Sequence, residues 1–198
     1  MHLLVGLGNP GARYVGTRHN FGFVAVDHVA EEAGAGWSRA ATGSKCLVAE
    51  GKLEGRSVVL AKPQEFMNRS GWAVAELMRV HDAGLSETMV FFDDIALPLG
   101  TLRIRERGGD GGHRGLASVL EAVGGADIAR VRVGIRPDFE PEDLSEFVLA
   151  PFTSDERRVV EEVLHRAVVA TRTVLVDGMS KAMSLHNVTV LDSEGGRD

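Results

Sequence analysis

VGLGNPGARYVGTRHN, residues 5–20, follows an apolar run at His2–Val5 and sets Gly6, Gly8 and Gly11 on the GxGxxG spacing of a dinucleotide-binding turn. A pyrophosphate site needs the third glycine to open a helix, and an acidic residue about 20 positions on at the end of a second strand. Neither requirement is met. Pro10 lacks an N–H, and Ala12-Arg13-Tyr14-Val15-Gly16 has no helical apolar period before the next glycine. The first periodic segment starts at Phe21, which places Asp27 inside a helix. A dinucleotide-dependent oxidoreductase is thus the weaker reading, and Asn9 and His19 become the residues to explain.

Working outward, short β-branched runs at His2–Val5, Cys46–Glu50, Ser57–Ala61, Thr88–Phe92, Thr101–Arg105 and Arg130–Ile135 predict strands. The pair flanking residues 51–55 reads as a hairpin, so the sheet has to be partly antiparallel. Helical patterns run from Phe21 to Ala33, about Ser70 to Ala83, and Leu116 to Val123, each followed by a glycine (Gly34, Gly84, Gly124) expected at C′. A longer helix, Ser154 to Asp177, opens with Thr153 and Glu156 spaced as a capping box. Its apolar stripe comprises Val159, Val160, Val163, Leu164, Ala167, Val168, Val174 and Leu175. Alternating strands and helices predict a single α/β domain over residues 1–190, its mixed, partly antiparallel central sheet flanked by helices on both faces. Residues 137–142 read as a surface loop and residues 191–198 as a frayed polar tail.

The 198 residues suffice for a core without disulfides or metal. One cysteine, Cys46, excludes an internal disulfide and agrees with a cytoplasmic setting. No apolar stretch approaches the roughly 18 residues of a membrane span. The formal charge of −6 resides in residues 140–198, which hold 12 acids against 6 bases, while residues 103–136 carry seven arginines against four acids. Such a local basic surface suits one phosphate-bearing ligand better than sequence-blind coating of long nucleic acid.

Unusual polar residues collect in four loops: 8–20, 62–71, 93–98 and 107–115. In an open α/β sheet, loops leaving strand ends converge on the ligand crevice. No pair of histidines has metal-ligand spacing, no GxSxG elbow is present, and the glycine-rich fourth loop lacks the Lys-Ser/Thr of a Walker A motif. Water is then the nucleophile for any hydrolysis. An imidazole oriented by a carboxylate activates it, and His19 with Asp93 is the pair of choice. Asn9 and Asn68 offer amides to a carbonyl oxygen gaining charge and to a substrate N–H. The same residues have plain structural uses: Asn9 in a turn, Asn20 or Asn68 at a helix cap, His19 as a brace, Asp93 and Asp94 in solvent, and the arginines along an exposed sheet edge.

Together the loops closely resemble the bacterial-type peptidyl-tRNA hydrolase family, whose motifs read approximately GLGNPGxxYxxTRHNxG, KPxxFMNxSG, HDxLDLPxG and GGxGGHNG. Here they stand as GLGNPGARYVGTRHNFG, KPQEFMNRSG, FDDIALPLG and GGDGGHRG, and RVRVGIRP and FVLAPF extend the likeness over roughly residues 3–182. The resemblance implies a monomer that hydrolyses the ester between a peptide and the terminal ribose of tRNA, without metal or cofactor. It implies that His19 activates water and that Asp93 stabilises and orients His19. Asn9 would separate a blocked amino end from a free one. Tyr14, Phe66, Met67, Asn68, His113 and Arg114 would lie against the tRNA end and the peptide. Arg103, Arg105 and Arg132 suit tRNA phosphates by charge pattern alone. The opening glycines would let the chain turn tightly so that Asn9 points into the cleft.

Three polar positions of the family pattern are changed: Phe92 for His, Ala96 for Asp and Arg114 for Asn. The last matters most, since an amide that donates and accepts becomes a cation that only donates. These departures keep a second reading open, a non-catalytic binder of RNA or protein, against which the retention of Asn9, His19, Asn68 and Asp93 argues.

Overall fold

The computed structural model describes residues 1–187, so the expected 191–198 tail lies outside the described residues. Seven strands form one sheet in the order β2-β3-β4-β1-β5-β7-β6, with β1 His2–Gly6, β2 Ser38–Arg39, β3 Cys46–Leu53, β4 Arg56–Pro63, β5 Thr88–Pro98, β6 Leu102–Arg105 and β7 Ala129–Arg136. The four central strands, β4, β1, β5 and β7, run parallel. β2, β3 and β6 pair antiparallel at the two sides. The expected mixed α/β sheet is therefore present.

Strand alternation divides the core in two. Leu4, Met89 and Phe91 point to the face covered by α1 (Phe21–Glu32), α5 (Ser154–Asp177) and α6 (Met179–His186). Leu3, Val5, Val90 and Phe92 point to the face covered by α2 (Ser70–Val80) and α3 (Arg114–Val123). The chain leaves β1 toward β3 and β4 and leaves β5 toward β6 and β7, so a crevice opens between the C-terminal ends of β1 and β5.

Several boundaries differ from the sequence expectation for local reasons. The hairpin turn is only Glu54-Gly55, both at positive φ (50° and 73°), the two-residue geometry that matches strand twist. β5 does not stop at Phe92. It continues to Pro98 because β7 keeps pairing with it across an irregularity between Asp94 and Pro98. α2 ends at Val80 rather than near Ala83, and Asp82 (φ 49°), not Gly84, takes the left-handed position that stops it. Two short helices were not anticipated: α4 (Leu144–Leu149), capped by Asp143, and α6. α5 keeps its predicted limits and capping box, with Val159 and Val174 only half-buried.

The outer edge of the sheet at β6 is closed by a side chain. Ile104 N–H donates to Asn187 Oδ1 (2.6 Å), and Asn187 Nδ2 donates to Ile104 O (3.3 Å).

Candidate active site

The fold first explains the opening glycines. Gly6 and Gly22 stand where any Cβ would strike backbone of the adjoining segment, and at Gly8 it would strike the Phe23 ring, so they admit α1 directly against β1. Only Gly11 (φ 105°) among the first three has a backbone that demands glycine. After it come only two 3₁₀ turns, Ala12–Tyr14 and Arg18–Asn20, and α1 begins at Phe21, which removes the helix that a dinucleotide turn requires.

Close packing brings Asn20 beside Asn9. Asn9 N–H donates to Asn20 Oδ1 (2.8 Å) and Asn20 Nδ2 donates to Asn9 O (3.0 Å). The Asn20 side chain makes no cap hydrogen bond to α1. With its peptide held, Asn9 accepts at Oδ1 from Met67 N–H (2.9 Å), and its Nδ2 is left as the group it offers. Met67 is buried in the 3₁₀ turn Met67–Arg69, which follows β4.

His19 Nδ1 lies 3.0 Å from both Oδ1 and Oδ2 of Asp93, a buried residue on β5. His113 Nε2 lies 3.3 Å from Asp93 Oδ1. The hydrogen bonds settle the His113 tautomer: its Nδ1 accepts from Leu116 N–H (3.1 Å), so its proton is on Nε2 and faces Asp93. Burial pushes the Asp93 carboxyl toward neutrality, but donation from His113 and His19 outweighs it and holds the group well below the usual carboxylate range. An anionic Asp93 in turn holds the His19 proton on Nδ1 and leaves Nε2 as the basic nitrogen. The His19 and His113 ring centroids are 5.0 Å apart, and Phe92 supports His113 from the core side at 4.8 Å.

Asn9, His19, Met67, Asp93 and His113 line one cleft of about 480 Å³, together with Phe66, Asn68, Asp94, Ile95, Arg114 and the α4 residues Leu144, Ser145, Val148 and Leu149. Asn9, His19, Phe66, Met67, Asn68, Asp93, His113 and Arg114 from the sequence expectation are thus gathered in one place. Tyr14 is not among the lining residues, and Arg13 stacks on its ring at 4.6 Å. Arg103 and Arg132 face each other across β6 and β7, and two-residue spacing puts Arg105 and Arg130 on the same face. Arg132 Nε donates to Asp94 Oδ2 (2.6 Å), which ties this row to the cleft wall.

Ligand atoms of His19, Asp93 and His113 lie within 4.8 Å of one another, a grouping that sequence spacing could not reveal. The triangle is arranged for hydrogen bonding: His113 would have to give up its bond from Leu116 to turn Nε2 into a lone-pair donor for a cation.

Sequence reasoning missed Arg18. This buried guanidinium donates to the carbonyls of Phe147, Ala150 and Pro151 and to both oxygens of Glu156 (2.9 and 2.6 Å). It also lies over the Phe147 and Phe152 rings at 4.2 and 5.3 Å. It joins the His19 turn to α4 and thus fixes the two walls of the cleft relative to each other. Its signal was its position next to His19, while its partners lie about 130 positions away.

A model of the peptidyl-tRNA hydrolase family matches residues 3–194. Peptidyl-tRNA hydrolases of Desulforudis audaxviator and Solibacter usitatus are 46% and 41% identical to the chain, over 99% and 94% of its length and 98% and 94% of theirs. The crystal structure of peptidyl-tRNA hydrolase from Acinetobacter baumannii superposes with a TM-score of 0.89 at 29% identity, covering 96% of this chain and 95% of that one. The chain belongs to the peptidyl-tRNA hydrolase family. No helix among the described residues is long and apolar enough to cross a membrane.

Proposed function

We propose that the chain hydrolyses the ester between a peptide, or an N-blocked amino acid, and the terminal ribose of tRNA, with water activated by His19 and Asp93. The observation that carries this reading is the contact of His19 Nδ1 with both oxygens of a buried Asp93, inside a cleft that also holds two asparagine amides. His19 Nε2 takes a proton from water as its oxygen attacks the acyl carbon. The tetrahedral oxyanion is met by donors such as Asn9 Nδ2 and the Asn68 amide, and collapse expels the ribose oxygen, which receives the proton back from His19. An activated ester asks for general-base help of about 10²–10⁴-fold, within reach of such a pair.

The half-apolar wall of Phe66, Met67, Leu144, Val148 and Leu149 suits a peptide of varied side chains, and Arg114 at the mouth suits an anionic group of the tRNA end. Arg103, Arg105 and Arg132 offer a cationic surface beside the cleft for tRNA phosphates, with Arg132 already shared with Asp94. The reading includes a monomer working in the cytoplasm without metal or cofactor.

The test is release of tRNA from N-acetyl-aminoacyl-tRNA and from its unacetylated counterpart. Turnover of the blocked substrate that disappears in His19→Ala supports the reading. Tight binding without turnover by the native chain would make it a binder instead.

A further inference from the structure

Arg130 shares a sheet face with Arg103, Arg105 and Arg132, yet it is only 2% exposed and has no carboxylate partner among the described residues. Every N–H of its guanidinium is spent on backbone carbonyls. Nη1 donates to Gly108 O (2.6 Å) and Gly109 O (2.8 Å), Nη2 to Ala126 O (2.9 Å) and Ile128 O (3.0 Å), and Nε to Ile128 O (3.2 Å). The first two carbonyls belong to the segment entering α3 and the other two to the segment leaving it, so one cation staples both ends of that helix. Gly108 N–H adds a direct bond to Ala126 O (3.2 Å).

Within itself the entering segment is held by Asp110, whose Oδ1 accepts from Gly112 N–H (2.6 Å) and whose carbonyl accepts from His113 N–H (3.0 Å); the base of the segment, Gly108-Gly109, is held by Arg130. Gly108, Gly111 and Gly112 all sit at positive φ (144°, 59° and 82°), and it ends at His113, the residue that donates to Asp93. A charge is costly to bury without a counterion, and five hydrogen bonds to four backbone carbonyls are the compensation here. An apolar side chain would fill the space without that cost but would leave the glycines free.

We propose that Arg130 is a positioning residue of the active site: by clamping the glycine-rich segment at its base it sets His113 against Asp93, and it takes no part in holding tRNA phosphate. The inference rests on the reading of His19 and Asp93 as the working pair.

Arg130→Lys keeps the charge but offers at most three donors from a point. It is expected to lower kcat about tenfold or more, with KM and its salt dependence unchanged. In a His113→Ala background the same substitution is expected to have little further effect on kcat, since the route through His113 is already cut. Independent multiplication of the two losses would overturn the proposal in favour of a general stability role. A raised KM with a shallower salt slope would overturn it in favour of phosphate binding. If Arg130→Lys does not fold, Arg130→Ala assayed with and without millimolar guanidinium serves, and recovery of kcat is the expected result; no recovery in a folded variant counts against the clamp. Amide hydrogen exchange over residues 107–113 reads the same question without activity: faster exchange in the variant is expected, and unchanged exchange overturns the clamp. Absence of turnover by the native chain would instead refute the proposed function and leave the exchange result standing.

Discussion

His113 Nε2–H donates a hydrogen bond to Asp93 because the other ring nitrogen is already occupied by the Leu116 amide, so the cap of α3 and the polarity of the active site are set by one imidazole. Both nitrogens of His113 are committed, and His19 is left as the imidazole with a nitrogen for water. Asp93→Asn removes the negative charge between the two rings and replaces one of the two acceptor oxygens by an N–H donor, and it is expected to lower kcat by about 10²–10⁴-fold with a smaller change in KM. Because hydrogen bonds hold the Asp93 pKa below the ordinary range, its stabilising contribution is complete above that range and is lost only as pH falls through the depressed value. The stability difference between native chain and variant should therefore be constant from about pH 5 to 8 and shrink only in strong acid, as urea titrations at several pH values would show.

Asn20 lies behind Asn9 and is absent from the cleft lining, yet it holds the Asn9 peptide at both ends. Asn20→Ala is expected to lower kcat/KM about tenfold on N-acetyl-aminoacyl-tRNA, because a small misplacement of Asn9 propagates to the reacting carbonyl. Asn20→Asp, which keeps the acceptor and loses the donor, should fall between the two. Equal kinetics in all three proteins would remove Asn20 from the positioning of Asn9.

Glu156 closes the capping box of α5 and receives Arg18. Burial alone would raise its pKa, but the bonds from Arg18 and Thr153 win and lower it. Glu156→Gln should cost about 1–3 kcal/mol of unfolding free energy at neutral pH. The gap should narrow as pH drops below about 4, where the native carboxylate is itself protonated. A gap that widens in acid would contradict the assigned sign.

Arg114 stands on the first turn of α3, exposed at the cleft mouth, with no hydrogen-bond or ion-pair partner among the described residues. Arg114→Asn is expected to raise KM and to flatten the dependence of log KM on log salt by about 0.7–0.9, the signature of one lost phosphate contact, while kcat stays within about threefold. An unchanged salt slope would assign Arg114 another role.

Six of the seven strands, α5 with its capping box, and three of the four polar loops were legible because each is written in neighbouring residues: alternation, a Thr-x-x-Glu spacing, glycines; the two-residue β2 and the continuation of β5 through residues 93–98 were not. The chemistry of Asn9, His19 and Asp93 was legible too, as residue types placed at strand ends. What escaped was decided by distant partners. Nothing local marks Arg130 as different from Arg132, and only the carbonyls of residues 108–109 and 126–128 separate a buried staple from an arginine shared with the cleft. α4 is short and depends on Arg18 from far upstream, while the stop of α2 fell to Asp82 because Ala83 N–H reached back to Met78 O before Gly84 was needed.

The bond pair between Asn187 and Ile104 gives the C-terminal side of the chain a protective duty. During synthesis the whole of the sheet emerges before this side chain does, and until then β6 presents a bare lip of backbone to which another polypeptide can zip. Residue 187 is therefore placed as a late-arriving stopper on that lip, and its replacement by alanine is expected to show first as aggregation during expression rather than as lost turnover.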